Sequence, residues 1–295
     1  MSAVSPDALR GLPHVSARRR NTDRVMRGLL ALATAIALLP LVLILYYLLH
    51  KGLRSWSASF FTTDPNGNFF GSPGGIRSAI VGSLEIVGLA TAIAIPVGIG
   101  VALYLTEYGG RSWFANVVRY FVDVMTGVPS IMFGLFIYIV LVISHVAGGF
   151  TAWKGSVALS LLMLPIVTRS AEVVLLLVPH ELREAALALG APRWRVMLRV
   201  VLPTALPGLV TGSLLAIARG MGETAPLLFT VSSAFALTGS LSQQMNSLPV
   251  QIFSDITSPR NAVIDRAWGA ALTLVALVLI LNLIARAVSR RSRMA

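Results

Sequence analysis

The chain has 295 residues, of which 56% are hydrophobic and 12% charged, with a mean hydropathy of +0.79 and a formal net charge of +12. This composition excludes an ordinary soluble domain and indicates an integral membrane protein. The lack of cysteine excludes a disulfide framework and a thiolate metal site, and nucleic-acid binding is not needed to explain the positive charge, because the basic residues flank apolar runs.

Six apolar runs are long enough to cross a hydrocarbon core of about 30 Å as helices. We therefore predict an all-α integral membrane protein with six transmembrane helices. Their expected ranges are roughly 28–50, 78–105, 118–146, 154–178, 204–232 and 264–288. Neither a soluble domain nor an internal repeat is expected.

The segments that flank these runs predict the orientation. Residues 1–27 form a basic arm without a small-residue cleavage site after the first run, so we expect an uncleaved start rather than a signal peptide. Residues 289–295 form a basic tail. With the N-terminus inside, fifteen Lys and Arg lie on the cytoplasmic side and six outside, which predicts that both termini are cytoplasmic.

The first outer loop, residues 51–77, is rich in turn formers and aromatic residues. Its phenylalanines are Phe60, Phe61, Phe69 and Phe70. Two interpretations stay open: these rings lie at the bilayer interface, or the loop forms a surface for an extracytoplasmic solute receptor together with residues 233–263.

Six ionisable residues fall inside the predicted spans, namely Glu85, Asp123, Arg169, Glu172, Arg219 and Glu223. A charge near the bilayer centre costs about 2.5–3.5 kcal/mol on insertion scales, so each needs a partner or a function. Arg169 and Arg219 lie near mid-depth on successive spans, where their guanidinium groups can face one cavity and grip an oxyanion. The alternative is local neutralisation, of Arg169 by Glu172 and of Arg219 by Glu223.

These acids outnumber the arginines four to two, which is unfavourable for a passing anion. We therefore expect Glu85 and Asp123 to form structural pairs near span ends. We also expect a partner subunit to supply further positive charge.

Residues 179–203 join the fourth and fifth predicted spans. Pro179 suits the first turn of a short helix, Glu184 lies near the positive end of its dipole, and Gly190 can adopt the left-handed conformation that ends it. Pro192 can begin a second short helix, which Pro203 ends before the next span. We predict a cytoplasmic helix-turn-helix that docks into a protein outside the bilayer.

The spacing of this loop is specific. Glu184-Ala185-Ala186, three residues, Gly190, nine residues, Val200, one residue and Leu202-Pro203 resembles the EAA loop of permease subunits in binding-protein-dependent ABC importers. The resemblance implies that the loop inserts into a groove of a cytoplasmic ATPase subunit. The residues assigned to this coupling are Glu184, Ala185, Ala186, Gly190, Trp194 and Pro203.

The fifth span carries a small residue at every fourth position, at Gly208, Gly212, Ala216 and Gly220. This spacing places them on one helix face and lets a neighbouring helix approach closely. We predict a helix-packing seam within the core or between subunits.

The same span is weakened at its charges. Arg219-Gly220-Met221-Gly222-Glu223-Thr224-Ala225-Pro226 places two glycines and a proline around the ion pair, and broken helices at mid-depth usually line a cavity. This run resembles the fifth-span signature of the A-type permease of phosphate importers. Gly127-Val128-Pro129-Ser130, followed by Gly134-Leu135-Phe136, is similar to another stretch of that family.

The resemblance extends from about residue 76 to the C-terminus. It implies the type I importer permease fold, with Arg219 and Glu223, together with Arg169 and its neighbour Glu172, on a phosphate path. The implied partners are a second permease of the PstC type, two ATPase subunits of the PstB type and an extracytoplasmic phosphate-binding protein of the PstS type, in a bacterial plasma membrane.

The chain has no Gly-x-x-x-x-Gly-Lys-Ser/Thr loop, so ATP and Mg are expected on partner subunits, and no cofactor, metal or catalysis is expected on this chain. The alternative cargo is another small oxyanion such as sulfate or molybdate. An ion-coupled carrier would also hold charges in mid-membrane, but it has no use for a docking loop. His180-Glu181-Leu182-Arg183-Glu184 begins like a zinc-protease helix but lacks the second histidine.

Overall fold

The computed structural model of the chain describes residues 17–66, 71–110, 112–146, 148–232, 234 and 236–291. Most of the predicted basic arm, part of the basic tail, and Phe69 and Phe70 of the outer loop lie outside the described residues. The chain divides into two units, Met1–His50 and Lys51–Ala295.

The first unit consists, where it is described, of most of helix α1, Ala17–Ser55. Over residues 28–47 its side chains are apolar around almost the whole circumference and exposed, as at Leu30 and Ile36. A helix that is apolar on every side belongs in lipid or against another membrane helix.

The second unit is also built from helices. In chain order these are α2 Ala58–Thr62, α3 Arg77–Leu103, α4 Trp113–Gly127, α5 Ser130–Ile137, α6 Ala152–Leu176, α7 His180–Ala188, α8 Arg193–Val196, α9 Leu202–Gly222, α10 Ala225–Thr230, α11 Leu248–Ile256 and α12 Asn261–Arg291. Wider π-helical turns extend three of them, at Tyr104–Tyr108, Tyr138–Ile143 and Met197–Val201.

Five helices in the described residues are long and apolar enough to cross a membrane, and a bent pair makes a sixth span. The all-α fold with six spans is therefore confirmed. The boundaries differ from the prediction at most ends. α1 and α12 extend beyond their apolar stretches, whereas the fifth span begins earlier, at Arg193, and ends at Gly222 instead of residue 232, because the chain becomes extended at Glu223.

The third predicted span, residues 118–146, is not one straight helix. α4 and α5 meet at an angle of 105°, and Val128 between them is extended, with φ −73° and ψ 129°. The pyrrolidine ring of Pro129 disfavours the helical conformation of the residue before it, so the bend falls at this dipeptide.

The prediction that Pro203 ends the second loop helix is wrong. α8 continues through the π-helical turn directly into α9, and residues 193–222 form one continuous helix. Leu202 N–H bonds to the Met197 carbonyl five residues back. This wider turn makes room for the ring of Pro203, which in a regular helix would clash with the carbonyl four residues back, so the helix continues through the proline.

The core lies where α6 packs between α3 and α9. Gly98 of α3 lies against Val167, and Gly134 of α5 lies so close to Pro226 of α10 that a Cβ would come within 2.5 Å of the Pro226 Cα. Lipid is as apolar as the side chains, so such close van der Waals contact, rather than the hydrophobic effect, holds membrane helices together.

On the side predicted to be extracytoplasmic, the first loop is folded against the helix ends. Phe60 is buried against Ile76 and Ala270, so this ring is a core residue and not an interface residue. Arg77 donates to Asp64 at 2.6 and 3.1 Å, and these hydrogen bonds hold the pKa of Asp64 below its usual range. The described part of the loop is therefore held in place by packing and by a charged pair.

Candidate functional site

Two acids and two arginines form a cluster between α4 and α6. Arg169 donates to Glu172 at 2.6 Å and also to Asp123. Arg119 Nε donates to Glu172 at 3.2 Å, and its Nη2 donates to the Leu105 carbonyl at 2.9 Å. The cluster is neutral overall and ties the bent third span to the fourth.

This geometry separates two of the predicted pathway residues. Arg169 makes the local pair with Glu172 and a long-range pair with Asp123, whereas Arg219 pairs with Glu223. A guanidinium held by two carboxylates has little left to offer an anion. Arg169 can therefore contact a passing anion only when the cluster opens.

The side chain of Arg219 has fewer and weaker contacts than that of Arg169. Its Nε lies 3.4 Å from Glu223 Oε1, and its side chain is 60% exposed while that of Glu223 is 15% exposed. α9 ends at Gly222, and Glu223 is extended, with φ −77° and ψ 125°. The helix therefore breaks beside an accessible cation, as the glycines and proline predict.

One face of α9 packs against α6, and a second face is exposed. Cβ atoms built at Gly208 and Gly212 would meet Val174 at 2.5 Å and the Ser170 Oγ at 2.4 Å, and one at Gly220 would meet the Met163 sulfur at 2.9 Å. The predicted seam thus faces α6 of the same chain. About 100° around the helix, Thr211, Leu215 and Arg219 form an exposed stripe.

The loop predicted to couple to an ATPase presents most of its assigned residues outward. Glu184, Ala185, Gly190, Trp194 and Pro203 are exposed, and Ala186 is partly buried. Pro179 precedes α7 as its N-cap, and Gly190 has a φ of +78°, the left-handed conformation expected at this helix end.

Apolar side chains accompany the assigned residues on this surface. Leu189 is 89% exposed and Trp194 56% exposed. Large apolar groups exposed beside arginines are typical of the core of a protein interface.

A buried ion pair between this loop and the end of the second span was not predicted. Arg183 of α7 donates to the carbonyls of Leu175 at 2.8 Å and Val178 at 2.9 Å, and its Nη2 lies 3.0 Å from Glu107 Oε1. Both side chains are almost fully enclosed, at 11% and 12% exposed. The only sequence signal was an acid just past the predicted end of the second span.

Glu85 departs from the expectation that it forms a structural pair. Within the described parts of the chain, its carboxylate has no hydrogen bond or ion pair, although α3 places it inside the second span. Asp123 does form its expected pair, with Arg169.

Known proteins with similar sequences cover nearly the whole chain. The sequence model of the family described as "Binding-protein-dependent transport system inner membrane component" matches residues 94–294. The phosphate transport system permease protein PstA of Haemophilus influenzae is 40% identical over 271 residues, which cover 91% of this chain and 94% of that protein. PstA of Yersinia pestis is 40% identical over 278 residues, covering 93% and 92%.

Solved structures share the fold at lower identity. The MetNI methionine ABC transporter, in an inward-facing conformation, superposes with a TM-score of 0.57 at 20% identity and covers 74% of this chain and 94% of its own. A bacterial alginate ABC transporter in complex with a periplasmic protein that carries an alginate pentasaccharide gives 0.67 at 17% identity, covering 92% and 96%. At such identities the likeness concerns the fold alone.

Proposed function

The chain belongs to the family of binding-protein-dependent transport system inner-membrane components, and from this premise we propose that it carries inorganic phosphate through an ATP-driven importer. It is a multi-pass membrane permease subunit and not an enzyme. Relatives that are named for phosphate transport and are 40% identical over nine tenths of the chain support this cargo.

The exposed guanidinium of Arg219 is the observation that carries the proposal. A phosphate ion that crosses a membrane must replace its hydration water with hydrogen-bond donors of the protein. The planar guanidinium of an arginine offers two parallel N–H donors to an oxyanion. The 3.4 Å contact with Glu223 is longer than the roughly 2.7–2.9 Å of a strong charged hydrogen bond. An entering anion therefore competes with a weak pair.

The proposed assembly has three kinds of protein partner. A second permease of the PstC type completes the pathway, and an extracytoplasmic phosphate-binding protein of the PstS type delivers the anion. Two ATPase subunits of the PstB type bind the loop of residues 179–203. ATP and Mg are held by those subunits, and both termini of this chain lie in the cytoplasm of a bacterium.

The contacts supply a route from the loop to the pathway. Arg183 fixes α7 to the end of α6 and, through Glu107, to the end of the second span. The glycine seam in turn holds α9 against α6. A push on α7 therefore moves α6 and α9 together, and the cavity beside Arg169 and Arg219 then opens to the other side of the membrane.

Replacing Arg219 by alanine tests this proposal. We expect Arg219→Ala to abolish phosphate uptake, because it removes the accessible cation, and to leave assembly intact, because the side chain is exposed. The measurement is ATP-dependent uptake of labelled phosphate by proteoliposomes holding the complete complex and the receptor, with unlabelled sulfate as competitor.

Leu215→Ala, on the same exposed face one turn away, is the matched control and should keep uptake near the wild-type rate. Wild-type uptake by Arg219→Ala would contradict the assigned path. Uptake that sulfate suppresses as strongly as phosphate does would contradict the assigned cargo.

A further inference from the structure

The carboxylate of Glu85 lies well inside the membrane-spanning part of α3. It follows Arg77, the first residue of the helix, by eight positions, which is about 12 Å along the axis. Its side chain is partly exposed on the surface of the chain, and nothing in the described residues donates to it. A carboxylate facing lipid at this depth is costly, and a cation on a neighbouring helix would remove that cost.

The face of α3 that carries Glu85 is otherwise uncharged and open. Ala92 and Ile99 follow at intervals of seven residues and therefore share that face. Ala92 is exposed, and apart from the backbone of α3 itself no described atom lies within 4 Å of a Cβ built at Gly88. Between Glu85 and Ala92 this side of α3 lacks a packing partner within the described structure, whereas Ile99 is partly buried against the core.

The same face leads into an apolar groove of about 610 Å³ between α3 and α9. Ile95 and Ile99 form its α3 wall, and Leu206, Val210 and Leu214 lie on its α9 wall. Along α3 the groove begins about 15 Å from Glu85, ten residues further on. A helix lying in the groove and continuing along α3 would pass the carboxylate.

We propose that this surface, comprising Glu85, Ala92 and the groove, receives a transmembrane helix of the second permease that carries an Arg or Lys at the depth of Glu85. The inference rests on the proposed function for the existence of that permease. Charge complementarity identifies the occupant, because an apolar helix or lipid would fill the groove but leave the carboxylate unpaired.

A second copy of this chain is a poor occupant. A two-fold symmetric contact brings the same patch together from both sides, and this patch holds no cation among the described residues. Two such chains would bury two carboxylates without a counter-charge. The charge of Glu85 therefore favours binding of a different permease that carries a cation, and it disfavours binding of a second copy of this chain.

A photo-crosslinking experiment tests the occupant. A benzophenone amino acid at Ala92 is introduced into the complete complex, with two differently tagged versions of this chain expressed together. We expect a crosslink to the second permease and none between the two tags. Crosslinking between tags, or only to lipid, would overturn the proposal.

Charge substitutions test the ion pair. Glu85→Arg should reduce the second permease recovered with this chain by about tenfold or more, since like charges at an interface cost several kcal/mol, and Glu85→Gln should lie between it and wild type. Leu84→Gln, at an exposed neighbouring position, is the control and should behave as wild type.

Wild-type recovery with Glu85→Arg would refute the ion pair. A loss with Leu84→Gln equal to that with Glu85→Arg would also refute it. Recovery and crosslinking are measured without phosphate. A negative result in these two experiments therefore does not bear on the phosphate assignment, which the uptake experiment tests separately.

Discussion

The side chain of Arg183 connects the loop of residues 179–203 to the membrane spans by hydrogen bonds and an ion pair. Its guanidinium donates to the carbonyl of Leu175 in the last turn of α6 and to that of Val178 just after the helix, and it contacts Glu107 as well. The same contact leaves Arg183 Nε and Glu107 Oε1 buried without a hydrogen bond. An enclosed pair of this kind is costly to break on one side only, because the remaining charge stays buried.

We expect Arg183→Met to lower the free energy of unfolding by about 3 kcal/mol and to uncouple ATP hydrolysis from uptake. Arg193→Met removes an equal charge from an exposed position of the same loop and should leave stability nearly unchanged. Thermal unfolding of the purified complex, with ATPase and uptake rates measured in parallel, compares the two. Equal effects would mean that net charge, and not the buried pair, matters.

Sequence reasoning named both partners of the local pairs, but it named no partner for Asp123 and did not predict the contact between Arg119 and Glu172. Glu172 is three residues from Arg169 and Glu223 four from Arg219, so the helical repeat alone predicts both contacts. Arg119 and Glu172 are 53 residues apart, and only the packing of α4 on α6 brings them together. The spacing of these residues along the sequence does not predict such a contact.

At the scale of helices, the seam on α9 decides how closely it approaches α6. A methyl group at Gly212 would lie 2.6 Å from Ser170 Cβ, and rotation of the serine hydroxyl cannot relieve a contact with Cβ. The helices would have to separate, which weakens contacts along their whole length.

Gly212→Ala should therefore destabilise the chain by about 1–3 kcal/mol. Gly100→Ala, where nothing lies within 4 Å, should be neutral or stabilise by up to about 1 kcal/mol, because alanine is the better helix former. Unfolding of both variants in a denaturant series would show these opposite signs. Stabilisation by both would mean that α6 and α9 do not touch at this position.

The two helix junctions show the limit of reading elements from a sequence. Pro129 bends the chain by 105° whereas Pro203 leaves a continuous helix, although both lie beside apolar runs. The difference depends on the preceding backbone: Val128 becomes extended, whereas residues 197–201 widen into a π-helical turn. Hydropathy depends only on residue type, so it does not distinguish an extended residue from a π-helical turn.

For the whole molecule, the distribution of positive charge predicts which side faces the cytoplasm. The loop of residues 179–203 would then face the ATPase subunits, and the segment between α10 and α11 would face the receptor. The chain has no cysteine, so one introduced thiol reports one position. Leu189 follows α7 and is 89% exposed, and Ser242 is exposed in the other segment.

We expect a membrane-impermeant maleimide to label Ser242→Cys in right-side-out vesicles and Leu189→Cys only in inside-out vesicles. Adding purified ATPase subunits should protect Leu189→Cys, because its side chain lies on the apolar docking surface, and should leave Ser242→Cys unaffected. Labelling of both from one side would contradict the topology. Unchanged labelling of Leu189→Cys with a bound ATPase would place the docking site elsewhere, and force could then not reach Arg219 through α7.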